Sequence, residues 1–316
     1  MSKREVEPEI KDQLNKLKAK YEAMGQDLSS YLDGLLYSDF LTYWDYIHLD
    51  TLLSLQTPRT DIPDEKIFIL YHQTTELYFK MILNEVEQLV YTDPIDHTLF
   101  KRRLRRINRY LNHLISSFDV MIDGMDREQF LAFRMALLPA SGFQSAQYRL
   151  IEIYSTDFIN LVNREKRKKF RENDSIEQMY EHIYWKSGAT ELASKKKTLT
   201  LRQFEAKYGQ QFTDLANKTR NINIVSKFRN YYQNNDEIKD ELRTFDEKAN
   251  VEWPLQHLKS AATYLQQDPH VLKATGGTNW QKYLPPKNQG IVFYPELWNA
   301  SEIENWGKRF RKAFSM

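Results

Sequence analysis

Residues 64–83, DEKIFILYHQTTELYFKMIL, set one histidine inside an apolar helical stripe. At alternating steps of four and three, Phe68, His72, Thr75, Phe79, Ile82, Val86 and Leu89 fall on one helix face. All but His72 and Thr75 are strongly apolar, so that face points into a core or a pocket. An imidazole there needs a partner, because a buried polar group without one costs roughly 1–3 kcal/mol. A ligand, a proton donor, a substrate or an ordinary carbonyl each meets that need.

Two further polar residues stand where apolar ones are expected. Arg134 lies in FLAFRMALLP with Phe130 and Leu138 one turn to either side. A partly buried guanidinium calls for an anion, and a carboxylate matches its fork best. That carboxylate could belong to a substrate or to a structural partner such as Glu152. His257, in VEWPLQHLKSAATYL, sits one turn after Trp253 and one turn before Ala261. A lone helix-borne histidine among small and aromatic side chains suits an axial haem ligand whose other ring nitrogen is held by an acceptor. It equally suits a satisfied core histidine. His72 and Glu76 share a face at i, i+4, but local spacing places no second histidine for a facial metal triad. The chain has no HExxH, P-loop or GxSxG motif. Gly276 and Gly277 in ATGGT could offer backbone amides to an anionic group.

The elements that must position these residues read as helices. Ten glycines and ten prolines in 316 residues are too few for a turn-rich strand fold. After Pro8, the residues Ile10, Leu14, Leu17, Tyr21, Met24 and Leu28 keep a heptad spacing, a narrow seam suited to docking on another helix, here assigned to a second subunit. Further helices are expected over 97–121, 128–138, 144–161 and around 250–266. The arginines of 102–109 are expected to face largely outward. The expected class is all-α. Residues 1–42 form an amphipathic arm, 43–162 and 248–316 a core, and 163–247 a more polar helical insertion or small subdomain of the same domain.

Composition narrows the chemistry. A net charge of +2 gives no reason to expect nucleic acid or a membrane surface as partner. With no cysteine, disulfides, thiolate metal sites, iron–sulfur clusters, thioether-linked haem and cysteine nucleophiles are excluded. MSKREVEPEIK has no apolar core of a secretory signal and no apolar run approaches about 18 residues, so a cytoplasmic protein is expected. The 19 Tyr and 17 Phe suit flat apolar ligands and core packing alike.

Four ordered blocks, YWDYIHLDTLLSLQ (43–56), DEKIFILYHQTTELYFK (64–80), FRMALLPASGFQSAQYRLIE (133–152) and His257 followed by ATGGT (274–278), resemble the tryptophan 2,3-dioxygenase family. The second and third blocks are specific, and the four stand in the family's order. The resemblance implies an all-helical homotetramer that binds haem b, has no nucleic-acid or membrane partner, and inserts both atoms of O2 across the indole C2–C3 bond of L-tryptophan, giving N-formylkynurenine. By position, His257 corresponds to the haem iron's axial ligand and His72 to the histidine that hydrogen-bonds the indole N–H. Phe68 corresponds to a wall of the indole pocket and Arg134 to the partner of the substrate carboxylate. Thr275 corresponds to a threonine at the amino-acid end of the substrate, and Ser141 and Gly142 to a turn lining the pocket. Tyr43 and Tyr46 correspond to aromatics supplied by a neighbouring subunit. The chain departs from the family pattern at Pro63, usually histidine, and at Phe130, a tyrosine in some members. Alternatives are a haem enzyme of this fold acting on another indole or aromatic amino acid, and a helical haem-binding protein without turnover.

Overall fold

The computed structural model describes residues 6–36, 42–93, 96–137, 144–189, 197–265 and 285–308. Among them there is no strand, only isolated bridges such as Val162–Ile183, and the class is all-α. No helix among the described residues is long and apolar enough to cross a membrane. The chain divides into two compact units, 1–57 and 58–316.

The first unit holds α1 (Pro8–Ala23), α2 (Leu28–Leu36), α3 (Tyr43–Tyr46) and α4 (Leu49–Ser54). The heptad-spaced helix stops sooner than its apolar spacing suggests. Gly25 adopts φ +68°, a left-handed conformation that favours glycine, and Gln26 N–H closes on the Tyr21 carbonyl at 2.9 Å. Met24 and Leu28 therefore lie beyond α1. No residue of α1 to α4 is buried, and Ile10, Leu17, Met24, Tyr31, Leu35 and Leu36 are all exposed.

The second unit is built on α5 (Pro63–Tyr91), which runs eight residues past the 64–83 stretch. Pro63 takes the first helical position and Asp64 and Glu65 fill the acidic first turn, a favourable start for a helix. Thr75, Phe79, Ile82, Val86 and Leu89 are buried as the stripe requires. Against α5 pack α6 (His97–Ser117), α7 (Asp119–Ile122), α8 (Arg127–Phe133) and α9 (Ala146–Ser155). Further helices of this unit include α10 (Arg164–Arg167), α11 (Ile176–Tyr180), α12 (Leu199–Thr219), α13 (Ile224–Tyr231), α14 (Asp236–Glu247) and α15 (Trp253–Leu265). Ile176, Met179, Leu201, Phe204, Phe212 and Phe228 belong to the same buried cluster as Phe79, Leu104 and Ile151. The described residues of 163–247 thus contribute to the same buried cluster as α5, α6 and α9.

The arginines of α6 face largely outward as expected, with Arg102, Arg105, Arg106 and Arg109 exposed and Arg103 half-buried, but several are paired with acids of other helices. Arg103 and Arg106 reach Glu85 on α5 at 2.7 and 2.8 Å, and Glu85 is only 1% exposed. Arg105 pairs with Glu241 of α14 at 2.7 Å. Helical periodicity sees only one helix at a time and could not place the opposing acids.

Two polar locks set the helices that flank the site. Asp64 Oδ2 accepts Asp126 N–H at 2.6 Å while Asp64 N–H donates to Gln129 Oε1 at 3.3 Å, so the starts of α5 and α8 are tied together. Farther on, the fully buried Asp246 accepts from the backbone N–H of Phe293 (2.8 Å) and Tyr294 (3.0 Å), from Trp298 Nε1 (2.9 Å) and from Asn250 Nδ2 (2.8 Å). Burial outweighs these donors and pushes its pKa up to about 6 from 3.8. Between about pH 4 and 6 the folded chain therefore holds a proton that the unfolded chain has released. This group's contribution to stability is complete below the unfolded pKa and is lost as pH rises through 6. The change is on the order of 3 kcal/mol. Asp246→Asn removes that linkage and turns an amide against N–H donors, which is expected to cost roughly 1–3 kcal/mol at neutral pH. In urea unfolding, the gap between wild type and variant should widen from pH 7 to pH 4. A constant gap would contradict the assignment.

Candidate active site between two histidines

His72 comes from the middle of α5 and His257 from the second turn of α15, and the fold brings them close enough for a charge on His72 to lower the pKa of His257. Their local chemistry is alike. His72 Nδ1 lies 2.7 Å from the carbonyl oxygen of Phe68, four residues back. A carbonyl can only accept, so Nδ1 carries the proton and Nε2 keeps a lone pair. His257 likewise hydrogen-bonds the backbone of Trp253, four residues back. Desolvation lowers the pKa of His72, with Phe68 and Glu76 opposing it. Desolvation first, and the charge of His72 second, push His257 down to about 4. Both imidazoles are therefore neutral at pH 7, each with one nitrogen satisfied and, among the described residues, no hydrogen-bond partner given to the other.

His72 is solvent-accessible while still crowded enough by protein for its pKa to fall. Aromatic rings form a wall around it. Phe68 lies 4.1 Å from the His72 ring, Phe133 and Phe130 lie 5.8 and 6.3 Å from Phe68, and Tyr264 lies 4.6 Å from Phe130. On the other side, Tyr71 meets His72 edge-on at 5.5 Å and leads through Phe118 (5.7 Å) to His257 (4.7 Å). Trp253 stands perpendicular to His257 at 5.0 Å. Phe118 and Tyr71 escaped the sequence reading. Tyr71 lies off the stripe that carries His72, and Phe118 reaches His257 only across helices, so no local spacing marks it.

Arg134 is 6% exposed and begins a one-turn 3-10 helix, Arg134–Leu137, directly after α8. Its predecessors Phe130 and Phe133 form part of the aromatic wall, which sets it beside that wall in the chain. Glu152 serves another arginine. Arg149 Nη1 lies 2.9 Å from Glu152 Oε2, and Tyr184 Oη donates to Glu152 Oε1 at 2.6 Å. Glu76 is held by Gln147, whose Nε2 donates to its carboxylate at 2.8 Å. Tyr43 and Tyr46 belong to the first unit and are 71% and 73% exposed. Ser141, Gly142 and Thr275 lie outside the described residues.

The donor set can be tested against haem. A bare metal ion wants several protein ligands, and among the described residues no three His, Cys, Asp or Glu side chains converge on one point. An iron porphyrin brings its own ring nitrogens and asks for one imidazole lone pair, with the other ring nitrogen held by an acceptor, inside an apolar wall. His257, the Trp253 backbone and the rings of Phe118 and Trp253 meet those requirements.

A family model described as tryptophan 2,3-dioxygenase matches residues 35–272. The chain is 28% identical over 279 residues to a tryptophan 2,3-dioxygenase of Ruegeria pomeroyi, covering 83% of this chain and 93% of that protein. It is also 28% identical over 276 residues to one of Bacillus thuringiensis subsp. konkukian, covering 84% and 94%. A shorter match, 42% over 123 residues, links it to one of Anaeromyxobacter sp. (strain K), covering 38% and 45%. The all-α architecture, the paired neutral histidines and a family match spanning most of the sequence agree, and the chain belongs to the tryptophan 2,3-dioxygenase family.

Proposed function

We propose that this protein is a haem-dependent dioxygenase that inserts both atoms of O2 across the indole C2–C3 bond of L-tryptophan to give N-formylkynurenine. The observation that carries the reading is the pair of neutral imidazoles from α5 and α15, each with one ring nitrogen tied to its own helix. Haem b, when bound, supplies the oxygen activation.

The chain's own residues hold and orient. His257 would hold the haem iron through its second ring nitrogen, the first being tied to the Trp253 backbone. Across from it, His72 Nε2 accepts the indole N–H, and the depressed pKa keeps that nitrogen unprotonated at neutral pH. Phe68, 4.1 Å from the His72 ring, gives the indole a flat wall. Arg134 takes the substrate carboxylate in a bidentate pair. One charged anchor at the amino-acid end and one hydrogen bond at the indole fix both position and rotation, which is the larger part of what a protein adds to such a reaction. Thr275, Ser141 and Gly142 complete the substrate's surroundings in this reading. Tyr43 and Tyr46, exposed on their own unit, are offered to the site of a neighbouring subunit in a homotetramer. The unburied apolar side chains of α1 and α2 support such an exchange.

The test is an absorption spectrum followed by turnover. Purified protein supplied with haem is expected to show a Soret band, and the ferrous form given L-tryptophan and O2 should accumulate formylkynurenine absorbance. Absence of the Soret band would sink the haem reading. A Soret band without product would sink the substrate assignment.

A further inference from the structure

The helix that carries His257 is entered through a π-helical turn, Lys248–Glu252. In that turn Trp253 N–H donates to the Lys248 carbonyl, five residues back instead of four. The Ala249 carbonyl thereby loses the Trp253 amide that an α-helix would give it. The next candidate, five residues on, is residue 254, a proline with no N–H. A carbonyl in this position is buried, and it must find a donor from elsewhere in the fold. Tyr148 of α9 supplies it, its hydroxyl donating to the Ala249 carbonyl at 2.7 Å.

We infer that Tyr148 is a positioning residue for His257, holding the π-helical turn that sets the height and rotation of the imidazole. This rests on His257 being the haem ligand. The contacts run in one line. The Phe79 ring lies 5.3 Å from Tyr148 and 5.9 Å from Trp253, and Trp253 both faces the His257 ring at 5.0 Å and receives its hydrogen bond. The turn is clamped on its other sides by Asn250 Nδ2 to Asp246 and by Gly307, where an added Cβ would come within 3.6 Å of Val251. The Tyr148 hydroxyl stays a donor at any working pH, since burial first, then Tyr184 and Glu152, hold its pKa far above the ordinary value. π-turns inside α-helices are uncommon and frequent at functional sites, where they re-aim the residues that follow.

The chemistry dictates its own rescue. Tyr148→Phe orphans the Ala249 carbonyl, and Pro254→Ala restores an amide five residues away that can satisfy it. In the haem-loaded full chain, Tyr148→Phe should shift the iron–histidine stretching band of the ferrous protein in resonance Raman spectra. It should also speed haem dissociation roughly tenfold. Adding Pro254→Ala should move both back toward wild type. An unmoved band in Tyr148→Phe overturns the positioning role, and a shift that Pro254→Ala fails to reverse overturns the route through Ala249. If Tyr148→Phe does not fold, recovery of folding by Pro254→Ala supports the carbonyl as the lesion and failure to recover refutes it. His257→Ala separates this inference from its premise. Should that variant keep its haem, the ligand assignment has failed. Should it lose haem while Tyr148→Phe leaves the band unmoved, only the role of Tyr148 has.

Discussion

His257→Ala is expected to purify without haem, its Soret band reduced to background after supplementation, while its far-ultraviolet circular dichroism stays helical. The expectation follows from how few of the described groups near the site could ligate iron. Phe118 and Trp253 enclose the His257 ring and offer no lone pair of the right kind. The chain has no cysteine. His72 is the other neutral imidazole nearby, but its ring is fixed to the Phe68 carbonyl on the opposite helix. The fold should survive because α15 keeps its other ties, among them Ser260 Oγ to the Met121 carbonyl and the buried Trp253 and Ala262. Restoring the ring's volume without its lone pair, in His257→Phe, should not restore haem. Full haem occupancy in His257→Ala would remove this residue from the ligand role.

Arg134→Ala is expected to weaken productive tryptophan binding by on the order of 2–5 kcal/mol, roughly 30- to 5,000-fold in kcat/KM. A carboxylate carried into an aromatic enclosure loses most of its hydration, and only a forked, permanently charged donor replaces it well. Haem content should not change, because Arg134 follows α8 and neither histidine is on that helix. Arg134→Lys should recover only part of the loss, since one ammonium cannot make the bidentate pair. Indole analogues lacking the carboxylate should be indifferent to the substitution. An unchanged KM for tryptophan in Arg134→Ala would refute the assignment.

Much of the scaffold can be read one helix at a time. The stripe of 64–83 marks the buried face of α5, and proline at the first helical position with acids behind it marks where that helix starts. Boundaries are less legible where a local hydrogen bond competes with the ladder. The 144–161 segment breaks at Thr156, which is extended and bonds through its hydroxyl to the Phe293 carbonyl on a distant part of the chain. The 128–138 segment changes to a 3-10 turn at Arg134. The Pro254 region reads as a helix start or a kink. The structure agrees: α15 starts at Trp253, one residue before the proline, and the π-turn ahead of it stands because the Tyr148 hydroxyl replaces the amide that proline lacks.

The sequence by itself determined the helical class, the absence of thiol chemistry and the identity of the polar outliers His72, Arg134 and His257. Each follows from composition or from a period of 3.6 residues, which are properties of contiguous chain. Only the tertiary structure decided that a charge on His72 reaches His257, that Glu152 is committed to Arg149 and that Glu85 gathers two arginines of α6. It also decided that Phe118 bridges Tyr71 to His257. The partner of a buried polar group is chosen across tens or hundreds of residues by how helices pack, and spacing along one helix carries no record of that choice.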